Sequence, residues 1–181
     1  MNTQTLAITL TVLAIVLALS SSCASQDDAR DATTRIGVYD SRAVAVAFSG
    51  SPVHEAQLAE LRAALEEAEE TGDAAAAAQL DAEAKARQAK AHAQAFSTAP
   101  VDEILALIPD SLAEIQATAG VTALVSKWDE AVLKEYEGAD TVDLSLALVD
   151  ALHPTERQRE SAMEIQRHKP IPLEQAAQID D

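Results

Sequence analysis

The sequence predicts a predominantly helical α+β protein, in which a small β-containing body carries a projecting antiparallel helical hairpin. Alanine, the strongest helix former, supplies 39 of the 181 residues. A leucine stripe with helical spacing crosses the middle of the chain, whereas short runs of β-branched residues lie on either side of it. Each alanine side chain buries little surface, so the helical part is expected to have a thin core, and aromatic residues make up only 3% of the chain.

The N-terminus predicts export. Residues 6–19 form an uncharged apolar run of 14 residues, which is short for a membrane span and suits a signal peptide. Cleavage before a lipid-modified Cys23 and ordinary cleavage beside it both fit, and an uncleaved membrane anchor is a third alternative. We expect residues 1–22 to be a signal peptide and residues 23–34 a flexible tether, which places the protein in the periplasm, either free or anchored to a membrane by a lipid.

The first part of the body is predicted at residues 35–51. Residues 35–40 read RIGVYD and favour a strand because they are rich in strand formers. Ser41 is expected to cap a short helix that runs through Phe48. Ser51 is a second expected N-cap, with Pro52 at the first helical position.

Residues 52–118 are predicted to contain the hairpin and a return helix. The first arm covers Val53–Glu70 and the second runs from Ala74 to about Ser97, with Gly72 and Asp73 between them. The first arm is mostly acidic and the second carries three cations, so folding back would bring opposite charges closer. A single long helix through Gly72 is the alternative, because an interior glycine costs only about 1 kcal/mol.

The rest of the chain is predicted to return to the body at residues 119–153. Pro109 should kink or divide a helix over residues 102–119, and Gly120 should end it. Three further elements are expected in the body: strands at residues 121–128 and 131–136, and a helix that begins at Asp143 or Ser145 and ends at Leu152. The C-terminal tail, residues 154–181, is expected to be partly disordered, with little fixed structure after Lys169.

Composition and motifs argue against several functions. A formal net charge of −17 disfavours nucleic-acid binding, which depends on Lys and Arg. One Cys permits no intramolecular disulfide, and the four His lack metal-ligand spacing. We find no nucleophile elbow, zinc-protease motif or phosphate loop. We therefore expect no enzyme activity, no cofactor and no bound metal.

Two segments carry a resemblance to a known family. RIGVYDSRAV resembles the opening strand and turn of the OmpH/Skp family of periplasmic chaperones, and AGVTALVSKWDEAVLKEY followed by GADTVDLSLALVDAL resembles its closing pattern. These segments cover 43 residues of body sequence. The resemblance implies a homotrimeric holdase whose helical tentacles enclose unfolded envelope proteins without nucleotide. The arms here are shorter, and the chain is acidic where well-known members are basic. A non-catalytic envelope lipoprotein that acts as an oligomeric scaffold or adaptor is the alternative function.

The resemblance also suggests residues for two roles. The large apolar side chains of the arms are the expected client contacts: Leu58, Leu61, Leu65, Leu80 and Phe96. The expected body or subunit-interface residues are Ile36, Val38, Tyr39, Val121, Leu124, Val125 and Trp128.

Overall fold

A computed structural model describes residues 34–176 and 178–179 of the chain. Within that part, the elements follow the order β1 (Arg35–Tyr39), α1 (Ser41–Ser49), α2 (Pro52–Thr71), α3 (Ala74–Phe96), α4 (Asp102–Leu105), α5 (Pro109–Ala119), β2 (Ala123–Ser126), α6 (Glu130–Glu135), β3 (Asp140–Asp143), α7 (Ser145–Ala151), α8 (Glu156–Ile165) and α9 (Leu173–Ala176). The predicted fold class, predominantly helical α+β with a small sheet, is confirmed. The predicted signal peptide, tether and Cys23 lie outside the described residues.

The three described strands form one parallel sheet in the order β2-β1-β3. Val38 on the central strand is level with Val125 of β2 and Asp143 of β3. Parallel strands need long crossovers, and here α1 to α5 form the first crossover and α6 the second. The carboxyl ends of β1 and β2 therefore meet at one edge of the sheet.

Helix α1 forms the centre of the core. Its alanines and Val44 are buried, and α3, α7 and α8 all pack against it. A helix that is apolar all round is expected in the interior, and alanine side chains let neighbouring helices approach closely. Ile104, Leu148 and Val149 complete the buried cluster around it.

Several predicted helix boundaries are confirmed. Ser51 caps α2 by accepting a hydrogen bond from the backbone N–H of His54 at 3.2 Å, with Pro52 at the first helical position. Pro109 begins α5 and so divides the predicted helix over residues 102–119, and Gly120 ends α5 in the left-handed conformation.

The alternative of one continuous helix through Gly72 is wrong. Gly72 has a φ of 70° and ends α2, while Asp73 caps α3 by accepting a hydrogen bond from the N–H of Ala76. The two helices then contact each other. How far this pair projects from the body in solution remains a prediction.

Two predictions of local structure are wrong. Residues 131–136 lie in and just after helix α6 instead of forming a strand, because Asp129 caps that helix through a hydrogen bond from the N–H of Val132. The third strand is β3, which follows Gly138 at a φ of 88°. The cap of α1 is Asp40, and Ser41 is its first helical residue.

The expectation of little fixed structure after Lys169 is also wrong for the described part of the tail. The N–H of Ile171 donates to the carbonyl of Phe96 at 2.9 Å, and Ala176 of α9 is fully buried. Helix α8 packs on α1 and buries Ala162. The tail thus contributes to the core, and α8 covers the weakly amphipathic stretch that the sequence shows around Met163 and Ile165.

Gly37→Ala should destabilise the fold. A Cβ at this position would lie 2.5 Å from Leu144 Cδ1 and 2.6 Å from Leu124 Cδ2, so both leucines would have to move. Overpacking of this kind costs about 1–3 kcal/mol. Urea unfolding followed by circular dichroism measures the change, with the exposed Thr141→Ala on β3 as the control. An unfolding free energy within about 0.5 kcal/mol of the wild type would contradict the prediction.

Candidate functional site

The α2/α3 helix pair is the first candidate site. The two helices contain 20 and 23 residues, which corresponds to lengths of about 30 and 35 Å. Along both helices, only Ala68, His92 and Gln94 are buried in the described structure. Most of this pair therefore faces solvent.

The predicted client-contact residues lie on this pair in two environments. Leu58, Leu61 and Leu65 of α2 and Leu80 of α3 are half-buried. Phe96, at the end of α3, is 38% exposed, and its ring centroid lies 5.8 Å from that of His92. The four leucines are thus neither buried nor fully exposed.

Among the described residues, the cations of α3 do not form ion pairs with the acids of α2, although the sequence suggested that these opposite charges would come close together. Lys85 of α3 pairs with Asp81, Arg87 with Glu83, and Lys90 with Glu103. None of these three cations pairs with an acid of α2 in the part of the chain that the structure describes. The acidic surface of α2 is therefore left without neutralising partners from these cations.

The body holds the end of α3 through polar contacts. The Gln94 amide donates to the carbonyl of Pro100 and to Glu103 Oε1, both at 2.6 Å. His92 Nδ1 lies 3.0 Å from the carbonyl oxygen of Ile179 in the tail. Gln94 and His92 are both buried, so the last turns of α3 belong to the body rather than to a freely projecting arm.

A buried polar cluster lies at the carboxyl end of β1. Asp40 and Arg42 are both fully buried. Asp40 Oδ1 accepts hydrogen bonds from the Arg42 backbone N–H, from Arg42 Nε and from Trp128 Nε1. Its Oδ2 accepts from Arg42 Nη2 at 3.0 Å and from Lys127 Nζ at 2.7 Å. Both oxygens of the carboxylate are thus fully engaged.

The cluster joins segments that are distant in sequence. Asp40 N–H donates to Ser145 Oγ at the start of α7, and Arg42 Nη2 donates to the carbonyl of His168 in the tail. The Trp128 ring lies 4.6 Å from the Arg42 guanidinium carbon and 4.8 Å from Lys127 Nζ, at distances suited to cation–π contact.

The electrostatics of Asp40 indicate a structural role. Burial acts to raise its pKa, but the hydrogen bonds from Arg42, Lys127 and Trp128 outweigh burial and lower the pKa below its ordinary value of 3.8. A carboxylate that is ionised and saturated with donors is a poor proton acceptor. Asp40 therefore links segments of the fold through its hydrogen bonds.

No family model, curated protein or solved structure matches this chain. The surfaces of the protein are therefore the basis for assigning a function. Within the described residues, no helix is both long and apolar enough to span a membrane, and no group of three or more His, Cys, Asp or Glu side chains could hold a metal ion.

The predicted body residues all lie in or next to the sheet. Ile36, Tyr39, Val121 and Val125 are buried, whereas Val38, Leu124 and Trp128 are half-buried. Sequence reasoning identified Trp128 but missed its partners Asp40, Arg42 and Lys127. Asp40 directly after a strand was the available signal, since a polar residue at the carboxyl end of a parallel strand lies at the edge where other segments converge.

Asp40→Asn should strongly destabilise the protein. The change removes the one carboxylate that compensates the buried Arg42, and loss of one partner of a buried pair costs about 3–5 kcal/mol. Urea unfolding at neutral pH measures this cost. The control is Asp140→Asn, which breaks the exposed Arg35 pair and should cost about 0–1 kcal/mol.

The cost of Asp40→Asn should also depend on pH. Because the pKa of Asp40 is lower in the native state than in the unfolded chain, its ionised form stabilises the protein above pH 3.8. This contribution is lost as pH falls through the native pKa. The difference in unfolding free energy between wild type and variant should therefore shrink below pH 3.8, and a difference independent of pH would contradict this account.

Proposed function

We propose that this protein is a holdase chaperone that binds unfolded or unassembled envelope polypeptides along the α2/α3 pair, without nucleotide. The observation that carries the proposal is the pair itself, two long helices that bury only Ala68, His92 and Gln94 of their described residues. Long helices with partly exposed leucines offer many weak apolar contacts, and such contacts suit clients of varied sequence.

Two further points support the proposal. The order of elements and the body segments resemble the OmpH/Skp chaperones, and on that resemblance we propose a homotrimer whose helix pairs surround the client. In the most buried polar cluster of the described residues, both oxygens of the Asp40 carboxylate are taken up by internal hydrogen bonds. In this proposal the protein acts in the periplasm, with Cys23 as the site of a lipid anchor.

The charge of α2 limits the choice of client. Helix α2 contains six glutamates and one arginine, and the cations of α3 form ion pairs with Asp81, Glu83 and Glu103 instead. Client segments with basic residues near their apolar ones should bind best, because the acidic helix attracts them and repels acidic chains.

A scaffold or adaptor role is the second candidate. The observation that favours it is the half-burial of Leu58, Leu61 and Leu65, since surface used to pair the two helices is not offered to a client. A trimer that leaves every unfolded client to aggregate would support this alternative over the holdase.

Shortening the helix pair should abolish holdase activity while the body stays folded. Glu60–Gln88 would be replaced by a Gly-Asn-Gly turn, which keeps eight residues of each helix next to the body. Ala68 is the one buried residue of the described structure within the deleted range, so little core is lost. Activity is measured as suppressed light scattering when a urea-unfolded outer-membrane porin is diluted, and oligomeric state by multi-angle light scattering.

Point variants separate the leucines from the length of the pair. Leu61→Ser combined with Leu80→Ser should weaken suppression, whereas Ala63→Ser combined with Ala82→Ser, at exposed positions on the same helices, should not. Circular dichroism verifies that helix content is kept.

Full activity in the shortened protein would reject the α2/α3 pair as the client surface.

Salt should weaken the binding of basic clients. Exposed charges are screened over about 8 Å at physiological ionic strength. We expect suppression of a basic client to decline with added NaCl and suppression of a neutral client to change little. Equal effects of salt on the two clients would contradict a role for the α2 glutamates.

A further inference from the structure

A cavity of about 390 Å³ opens where β1 and β2 end. It lies at the carboxyl edge of the parallel strands, the edge at which open α/β sheets commonly bind ligands. Val101, Leu124 and Val132 provide apolar walls. None of the lining residues belongs to α2 or α3, so a ligand of this cavity does not depend on the holdase proposal.

Two polar groups of the lining lack partners. Tyr39 is only 6% exposed, yet its hydroxyl makes no hydrogen bond within the part of the chain that the structure describes. Ser41 Oγ is also buried without a partner among the described residues. Of these two groups, Ser41 Oγ is fully buried, whereas the Tyr39 hydroxyl keeps accessible surface beside the cavity and can therefore accept a hydrogen bond from a ligand there.

The cavity rim is negatively charged. Asp102 and Asp129 border it, are exposed, and have no ion-pair partner in the described residues. Burial, and then the charges of Asp102 and Asp129, raise the pKa of Tyr39 to about 12. The phenol thus lies in a region of negative potential, which attracts a cation.

The nearby cations do not cancel this potential. Lys127 and Arg42 are both bound to the buried Asp40 carboxylate. Among the described residues that line the cavity, Asp102 and Asp129 are carboxylates and none is Lys or Arg. The local balance remains negative, in keeping with the net charge of −17 for the chain.

We propose that this cavity binds an alkylammonium group. The ammonium donates hydrogen bonds to the rim carboxylates of Asp102 and Asp129 and to the Tyr39 hydroxyl oxygen, while its methylene chain packs against the apolar walls. A free alkylamine and a lysine side chain of another polypeptide share this chemistry, and the two sources are separated by experiment.

Trp128, the one tryptophan of the chain, lines the cavity and reports on binding through its fluorescence. n-Pentylamine should produce a saturable change in the fluorescence of the full chain, and 1-pentanol, of the same length without charge, should not. The amine source is tested against a short blocked peptide with a central lysine and its norleucine counterpart. Binding of the lysine peptide assigns the site to a polypeptide side chain, and binding of the amine alone assigns it to a free amine.

Charge-neutral variants test the rim. Asp102→Asn combined with Asp129→Asn should weaken amine binding about tenfold, as expected for the loss of two exposed charge contacts. Asparagine at position 129 can still cap α6. Asp110→Asn combined with Glu114→Gln removes the same charge from α5 and should leave affinity unchanged. Equal affinity in these two variants, or an equal response to 1-pentanol, would overturn the proposal.

Tyr39→Phe tests the phenol separately. It removes the unpartnered hydroxyl and keeps the ring that packs in the core, so the fold should be retained. We expect a loss of about tenfold in amine affinity, because the hydrogen bond that is lost has a charged donor. An affinity equal to that of the wild type would exclude the Tyr39 hydroxyl from the site and contradict the geometry proposed.

Discussion

The buried Asp40 carboxylate is the contact on which the rest of the structure depends. It brings together the end of β1, the first turn of α1 and the loop after β2, and through Arg42 and its own N–H it reaches the tail and α7. A buried ion pair is costly to desolvate, so its energetic value comes from having every acceptor site filled. It also fixes register, because only one arrangement of these segments supplies all five donors.

Around this link the core is built from small side chains. Ala43, Ala45 and Ala47 of α1 bury little area each, but they allow α3, α7 and α8 to pack against one helix. The body therefore forms a packed core although it contains few aromatic residues. Within the described residues, helices α2 and α3 are not surrounded by other helices in this way, so their leucines remain half-buried. Because this apolar surface is only partly covered, the pair is the candidate for binding another polypeptide.

The elements that local chemistry specifies were predictable. Ser51 with Pro52, Gly72 with Asp73, and Gly120 each mark a helix end through a cap or a left-handed residue. The segment at residues 131–136 was predicted to be a strand but is helical. Six residues fit both the strand and the helix periodicity, and the contact that decides between them is the Asp129 cap. Of the Asp40 cluster, Trp128 alone was singled out, since nothing local connects residue 40 to residues 127 and 128.

The sequence by itself determined the helical class, the ends of the long helices and the excess of negative charge, because propensity, capping and composition act over a few residues. Tertiary structure alone decided that the strands are parallel, that the tail packs on α1 and α3, and which charges pair. Those features depend on contacts between residues far apart in the chain. The cations of α3 illustrate the difference: sequence placed them opposite the acids of α2, and the fold gave them to α3 itself and to Glu103.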